Sequence, residues 1–243
     1  MCEPSMPAAP LEGAGRRTPL KGAGRTAAFF DVDQTLIGFQ SMFGFLAFYL
    51  AHRGEPASTF ERLAGELTTA AAELPRQEAN RRYHRVFAGE SAERLAAAGR
   101  AWWEHEQARR EVFVPAVLSE LAGHRSAGRR IVLVSGQFFA CLDPIAASVG
   151  AHGVAGTVPV TAGGRLTGEV VRPLIGPAKA DAVRDEAERH RLDLPGSHAY
   201  GDHASDLPML QQVGSPVVVG TDQALTGHAA AHGWRVLPAG RGH

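Results

Sequence analysis

Apolar residues in this chain follow two rhythms, and the switches between them outline its architecture. Short unbroken runs at Ala27-Ala28-Phe29-Phe30, Ile131-Val132-Leu133-Val134 and Val217-Val218-Val219 each stop at Asp, Ser or Gly, as does the shorter Ala199-Tyr200-Gly201. Runs of this kind, closed by turn residues, predict strands buried on both faces. From about residue 38 to 113 the period turns helical. Met42, Phe43, Leu46, Tyr49 and Leu50 share one helical face, which leaves Phe45 and Phe48 partly off it, free to line a pocket or a subunit contact. Ser58 with Glu61 reads as a capping box ahead of Leu63 and Leu67, and Ser91 reads as the start of a helix carrying Leu95, Trp102 and Trp103. Pro115 suits a first helical turn with Val117, Leu118 and Leu121 on its buried side. Alternating residues between Gly153 and Val171 flank Gly163-Gly164 and predict a hairpin. Helices around 177–191 and 205–212 flank the strand near 198–200. The order predicts an α/β fold: a Rossmann-like, doubly wound, mostly parallel sheet, with a helical block inserted after the first strand.

The polar residues that close these runs carry the candidate chemistry. In an extended segment residues two apart point the same way, so Asp31 and Asp33 project together. Two like charges about 4 Å apart repel by roughly 4 kcal/mol at an effective dielectric near 20, and a bound cation or a shared proton relieves that repulsion. Ser135-Gly136 follows the second strand, Lys179 opens a helix, and Asp202 and Asp206 follow the strand at 199–201. Every one of these groups falls at the carboxyl edge of the predicted sheet, where doubly wound folds bind their ligands.

Composition narrows the picture. The 243 residues hold 25 Lys plus Arg and 25 Asp plus Glu, so no global basic field draws the chain to nucleic acid. No apolar run reaches the roughly 18 residues of a membrane span. Cys2 and Cys141 lie too far apart to suggest a disulfide framework, so a reducing, cytoplasmic setting is expected, with Cys141 a buried filler on an apolar helix. Residues 1–25, rich in Pro, Gly, Ala and basic groups, read as a flexible tail. The oligomeric state is left open.

The ordered set DVDQT at 31–35, VLVSG at 132–136, Lys179 and GDHASD at 201–206, with the closing Val217-Val218-Val219-Gly220, resembles the haloacid dehalogenase-like (HAD) hydrolase superfamily, in particular its subfamily IB, the phosphoserine phosphatase-like branch. The likeness spans about Ala27 to Pro238. It implies a catalytic core at 26–37 and 114–243 with a helical cap at 38–113. It further implies a Mg²⁺-dependent phosphatase acting on a small phosphorylated metabolite through an aspartyl-phosphate. By this resemblance Asp31 is the nucleophile and Asp33 the general acid and base. Thr35, Ser135, Gly136 and Lys179 bind phosphate. Asp31, Asp202 and the main-chain carbonyl of Asp33 hold Mg²⁺, with Asp206 behind them holding water or Lys179. Gln34 departs from the small residue many members carry, and Gln40 stands where phosphoserine phosphatases carry a glutamate, which makes phosphoserine a poor substrate. Among Arg81, Arg82, His84 and Arg85, Arg82 is the candidate to meet an anionic part of the substrate. The alternatives are a phosphotransferase or mutase using the same intermediate, and a non-catalytic phosphate-binding protein of the same fold.

Overall fold

The computed structural model describes residues 25–240, so the expected tail lies outside the described residues apart from Arg25, which pairs with Leu192. Six strands form one parallel sheet. They are β1 (Ala27–Phe30), β2 (Arg130–Val134), β3 (Gly153–Ala155), β6 (His198–Gly201), β7 (Ser215–Val219) and β8 (Arg235–Leu237), in the order β3-β2-β1-β6-β7-β8. The chain winds outward from β1 in both directions. The strand order therefore reverses between β1 and β6, the crevice where doubly wound folds place their ligands. All four residues of β1 are fully buried, because helices cover both faces of the sheet.

Side-chain alternation along β1 divides the core. Ala28 and Phe30 join the cluster that holds α5 (Pro115–Ser126) and α6 (Phe139–Val149). Ala27 and Phe29 join the other, under α7 (Pro177–His190), α8 (Leu207–Leu210) and α9 (Gln223–His232). Between β1 and α5 the chain inserts α1 (Ser41–His52), α2 (Ala57–Glu73), α3 (Arg76–Arg85) and α4 (Ala92–Arg109). The two ends of this insertion run side by side: Gly38 N–H donates to the Val112 carbonyl at 3.0 Å, and Val114 N–H to the Leu36 carbonyl at 2.9 Å. Apolar residues of α1 and α4 belong to the same buried cluster as α5 and α6, so the insertion is packed onto the sheet layer. At Gly99 the backbones of α4 and α6 come so close that a Cβ there would lie 1.9 Å from the Ala140 carbonyl oxygen.

Several local expectations change. The N-cap position of α2 is taken by Pro56, so Ser58 sits inside the first turn and makes no cap; Ser91 does cap α4, accepting from Arg94 N–H. Phe45 is fully buried and packs edge-on against Trp102 and Phe138, whereas Met42 and Phe43 of the expected buried face look into a cavity. Leu118 is 36% exposed. The hairpin forms from β4 (Pro159–Ala162) and β5 (Arg165–Val170), turning at Gly163 and Gly164 with φ of 57° and 76°, but Gly153–Ala155 leaves it for the edge of the main sheet. Cys141 is buried on α6. Among the described residues no helix is long and apolar enough to cross a membrane.

Candidate active site

The site begins where β1 runs out. Asp31 still belongs to the ladder, its N–H donating to the Tyr200 carbonyl of β6 at 2.9 Å. The chain then folds tightly over Val32, whose carbonyl accepts from the N–H groups of Thr35, Leu36 and Ile37. Burial of Val32, Leu36 and Ile37 fixes this turn, and Gln34 at its apex takes φ of 59°, a left-handed conformation that favours glycine. The consequence is that Asp31, Asp33 and Thr35 are all presented at the sheet edge.

Lys179, in the first turn of α7 behind Pro177, is buried with its Nζ 2.6 Å from Asp31 Oδ1 and 2.6 Å from Asp206 Oδ1. Burial works against the ammonium, but Asp206 and Asp31 more than compensate and hold its pKa above the ordinary value. The other oxygen of Asp206 accepts from the backbone N–H groups of Asp202 and His203, at 3.3 and 3.2 Å. Gly201 makes this approach possible, since a Cβ there would sit 2.6 Å from that of Asp206. Thr35, expected to contact phosphate, has its Oγ1 donating to Asp202 Oδ1 at 2.9 Å, which orients that carboxylate. Ser135 is buried beyond β2, its Oγ accepting from Gln137 N–H.

Asp33 is held from two sides. Ser41 Oγ, at the start of α1, donates to Oδ1 at 2.7 Å, and Gln137 Nε2 donates to Oδ2 at 2.8 Å. Burial raises its pKa to about 6, with nearby Asp31 adding to the rise and the Ser41 and Gln137 hydrogen bonds opposing it. A carboxyl group of that strength is able to exchange a proton near neutrality.

Asp31, Asp202 and Asp206 offer oxygens that lie within 4.8 Å of one another. Burial pushes Asp31 upward against the pull of Lys179, with Asp206 and Asp202 adding to the rise; burial and Asp206 do the same to Asp202. One ammonium therefore serves three crowded carboxylates, and a hard divalent cation fits this all-oxygen donor set. Since Lys179 and two backbone amides already engage Asp206, Asp31 and Asp202 are the carboxylates with an oxygen to spare.

These groups open into a cavity of about 300 Å³ between the strand ends and the helical insertion. Gln40, Ser135, Gly136, Lys179 and all four aspartates line it. Arg82 is exposed and does not; Arg81 bonds the Val170 carbonyl, Arg85 pairs with Glu78 and Glu169, and His84 is buried. The arginine at the cavity is Arg76, whose Nη1 lies 3.0 Å from His203 Nε2. Ser41, Gln137 and Arg76 were not singled out from the sequence. Gln137 alone carried a local signal, standing two residues after Ser135 at a strand end.

The description haloacid dehalogenase-like hydrolase matches residues 28–211. The chain belongs to that family. It is an enzyme of this hydrolase group, and the resemblance read from its motifs holds. A protein of Streptomyces azureus, named for inhibition of morphological differentiation, is 34% identical over 88% of this chain and 78% of its own length. A phosphoserine phosphatase of Mycobacterium tuberculosis is 30% identical, covering 94% of this chain and 75% of its own. Among solved structures, a Bordetella pertussis protein of unknown function superposes with a TM-score of 0.77 at 26% identity, over 88% of this chain and 98% of that one.

Proposed function

We propose that this HAD hydrolase cleaves a small phosphomonoester through a covalent aspartyl-phosphate, with Asp31 as nucleophile and Asp33 as general acid and base. The observation that carries this reading is the pairing of a lysine-held carboxylate with a second carboxyl group, two residues on, whose pKa is raised to about 6. An oxygen of Asp31 attacks phosphorus, the ester P–O bond breaks, and Asp33 gives its proton to the departing alkoxide. Asp33, now ionised, takes a proton from water as that water attacks the same phosphorus. The bond from phosphorus to Asp31 breaks, which releases phosphate and restores both carboxyl groups.

Lys179 holds Asp31 in place and offsets charge on the phosphate oxygens, a task shared by the Ser135 hydroxyl and the Gly136 amide. Thr35 keeps Asp202 oriented. Asp31, Asp202 and the Asp33 carbonyl would hold Mg²⁺, which when bound offsets the negative charge that the transferring phosphoryl group brings to these carboxylates. Asp206 serves by fixing Lys179. On this reading residues 38–113 serve as a cap, supported by Met42, Phe43, Leu67 and Tyr83 of the insertion lining the cavity.

The test is phosphate release from p-nitrophenyl phosphate by the full chain with Mg²⁺. Turnover that disappears in Asp31→Asn is expected; an undiminished rate in that variant would overturn the assignment.

A further inference from the structure

The cavity has two unlike walls. The strand ends contribute carboxylates and Lys179, whereas the helical insertion contributes Met42, Phe43, Leu67, Ala71, Ala79 and the ring of Tyr83. Polar groups on that second wall are largely engaged within the protein. The Tyr83 hydroxyl donates to the Met42 carbonyl at 2.9 Å, and Asn80 Nδ2 donates to the Gly136 carbonyl at 2.9 Å, which leaves Asn80 Oδ1 as the one buried acceptor of this wall without a partner among the described residues. Gln40, exposed, is neutral. Arg76 is the one charged side chain on this wall among the described residues, and it is a cation.

These facts bear on the part of the substrate that leaves. A leaving alcohol carrying an ammonium group would give up water on entering and find no carboxylate on the wall it meets, and it would face Arg76. Hydrocarbon entering the same space displaces water from the apolar surface of Met42, Phe43, Leu67 and Ala71. A cavity of about 300 Å³ also lies at the small end of ligand sites.

Resting on the phosphatase reading above, we propose that the substrate is the phosphate monoester of a hydrocarbon-rich alcohol without an ammonium group, and that phosphorylated amino acids are disfavoured. The apolar wall is the specificity element, and Phe43, half-buried at the start of α1, is one of its principal faces.

The experiment compares kcat/KM for ethyl, butyl and hexyl phosphate and for phosphoserine. The expected result is a rise of up to about fourfold per added methylene, the ratio that one buried CH₂ supplies, with phosphoserine below butyl phosphate. Ala71→Asp adds a carboxylate at an exposed position of α2, where the fold tolerates it. That variant is expected to lose activity on hexyl phosphate and gain it on phosphoserine, narrowing their ratio by about tenfold or more, the scale of one charge-assisted contact. Phe43→Asn is expected to flatten the chain-length series. A flat or falling series in the unmodified protein, phosphoserine preferred to butyl phosphate, or a ratio unmoved by Ala71→Asp would each overturn the proposal. Failure to hydrolyse any ester of the panel or p-nitrophenyl phosphate would instead remove the phosphatase reading itself.

Discussion

Asp33 shows how a single carboxyl group is prepared for proton transfer: one donor reaches it from the insertion, Ser41, and one from the loop between β2 and α6, Gln137. Its assigned task is to protonate a leaving alkoxide, and a leaving group that departs unaided has no need of it. Asp33→Asn is therefore expected to lower kcat/KM by at least about a hundredfold on butyl phosphate and far less on p-nitrophenyl phosphate. Equal losses on the two esters would remove the acid role. The aspartates, Lys179 and Ser135 were legible in the sequence because each closes a strand or opens a helix, positions that a local pattern marks. Ser41, Gln137 and Arg76 were not, because their partners are set by the fold: Gln137 meets Asp33 across 104 positions of chain and Arg76 meets His203 across 127. The Thr35 hydroxyl is likewise turned to a partner that no local pattern marks, Asp202, 167 positions away.

Among the elements, the α4 to α6 contact and the buried histidine of α3 give separate tests. Gly99→Ala forces a methyl against the Ala140 carbonyl, backbone that cannot rotate away, so urea unfolding is expected to show a loss of about 2 kcal/mol or more. Gly65→Ala, where a Cβ meets nothing within 4 Å, is expected to gain stability by about 0.5–1 kcal/mol and serves as the contrast. A neutral Gly99→Ala would mean that the two helices separate easily. His84 is buried with neither ring nitrogen hydrogen-bonded, and burial lowers its pKa to about 4. An unfolded histidine titrates near 6.5, so as pH falls from about 6.5 towards 4 the unfolded chain takes up a proton that the folded chain refuses. Stability is thus expected to fall through that window. His124, lowered to about 4 by burial with His198 and Arg129 adding to it, contributes in the same direction. His84→Leu is expected to raise Tm at pH 5 and to weaken its pH dependence; an unchanged slope would contradict this. Helix and strand order was readable because period and length agree in those segments. Cap and face details were not: Pro56 occupies the cap position ahead of Ser58, and the aromatic packing around Phe45 overrides the single helical stripe read from spacing.

For the molecule as a whole, the decisive feature is the strand order. Reversal between β1 and β6 brings Asp31, Asp33 and Asp202 to one crevice, and the crossover through α7 adds Lys179. Three carboxylates within 4.8 Å stand against one ammonium, and on the proposed reading a divalent cation offsets the remaining negative charge as a phosphate dianion enters. Chelation is expected to abolish turnover and added Mg²⁺ to restore it, with Ca²⁺ a poor substitute because its larger and looser coordination sphere misplaces the reacting groups. Full activity in protein shown by elemental analysis to be metal-free would contradict that requirement. The central claim is that Asp31 carries the phosphoryl group, and rapid acid quench of the enzyme turning over a phosphomonoester, followed by peptide mass spectrometry, tests it most directly. The expected result is one phosphoryl group on the peptide containing Asp31, absent in Asp31→Asn; sustained turnover with that peptide unmodified, or with the phosphoryl group on another residue, would contradict it.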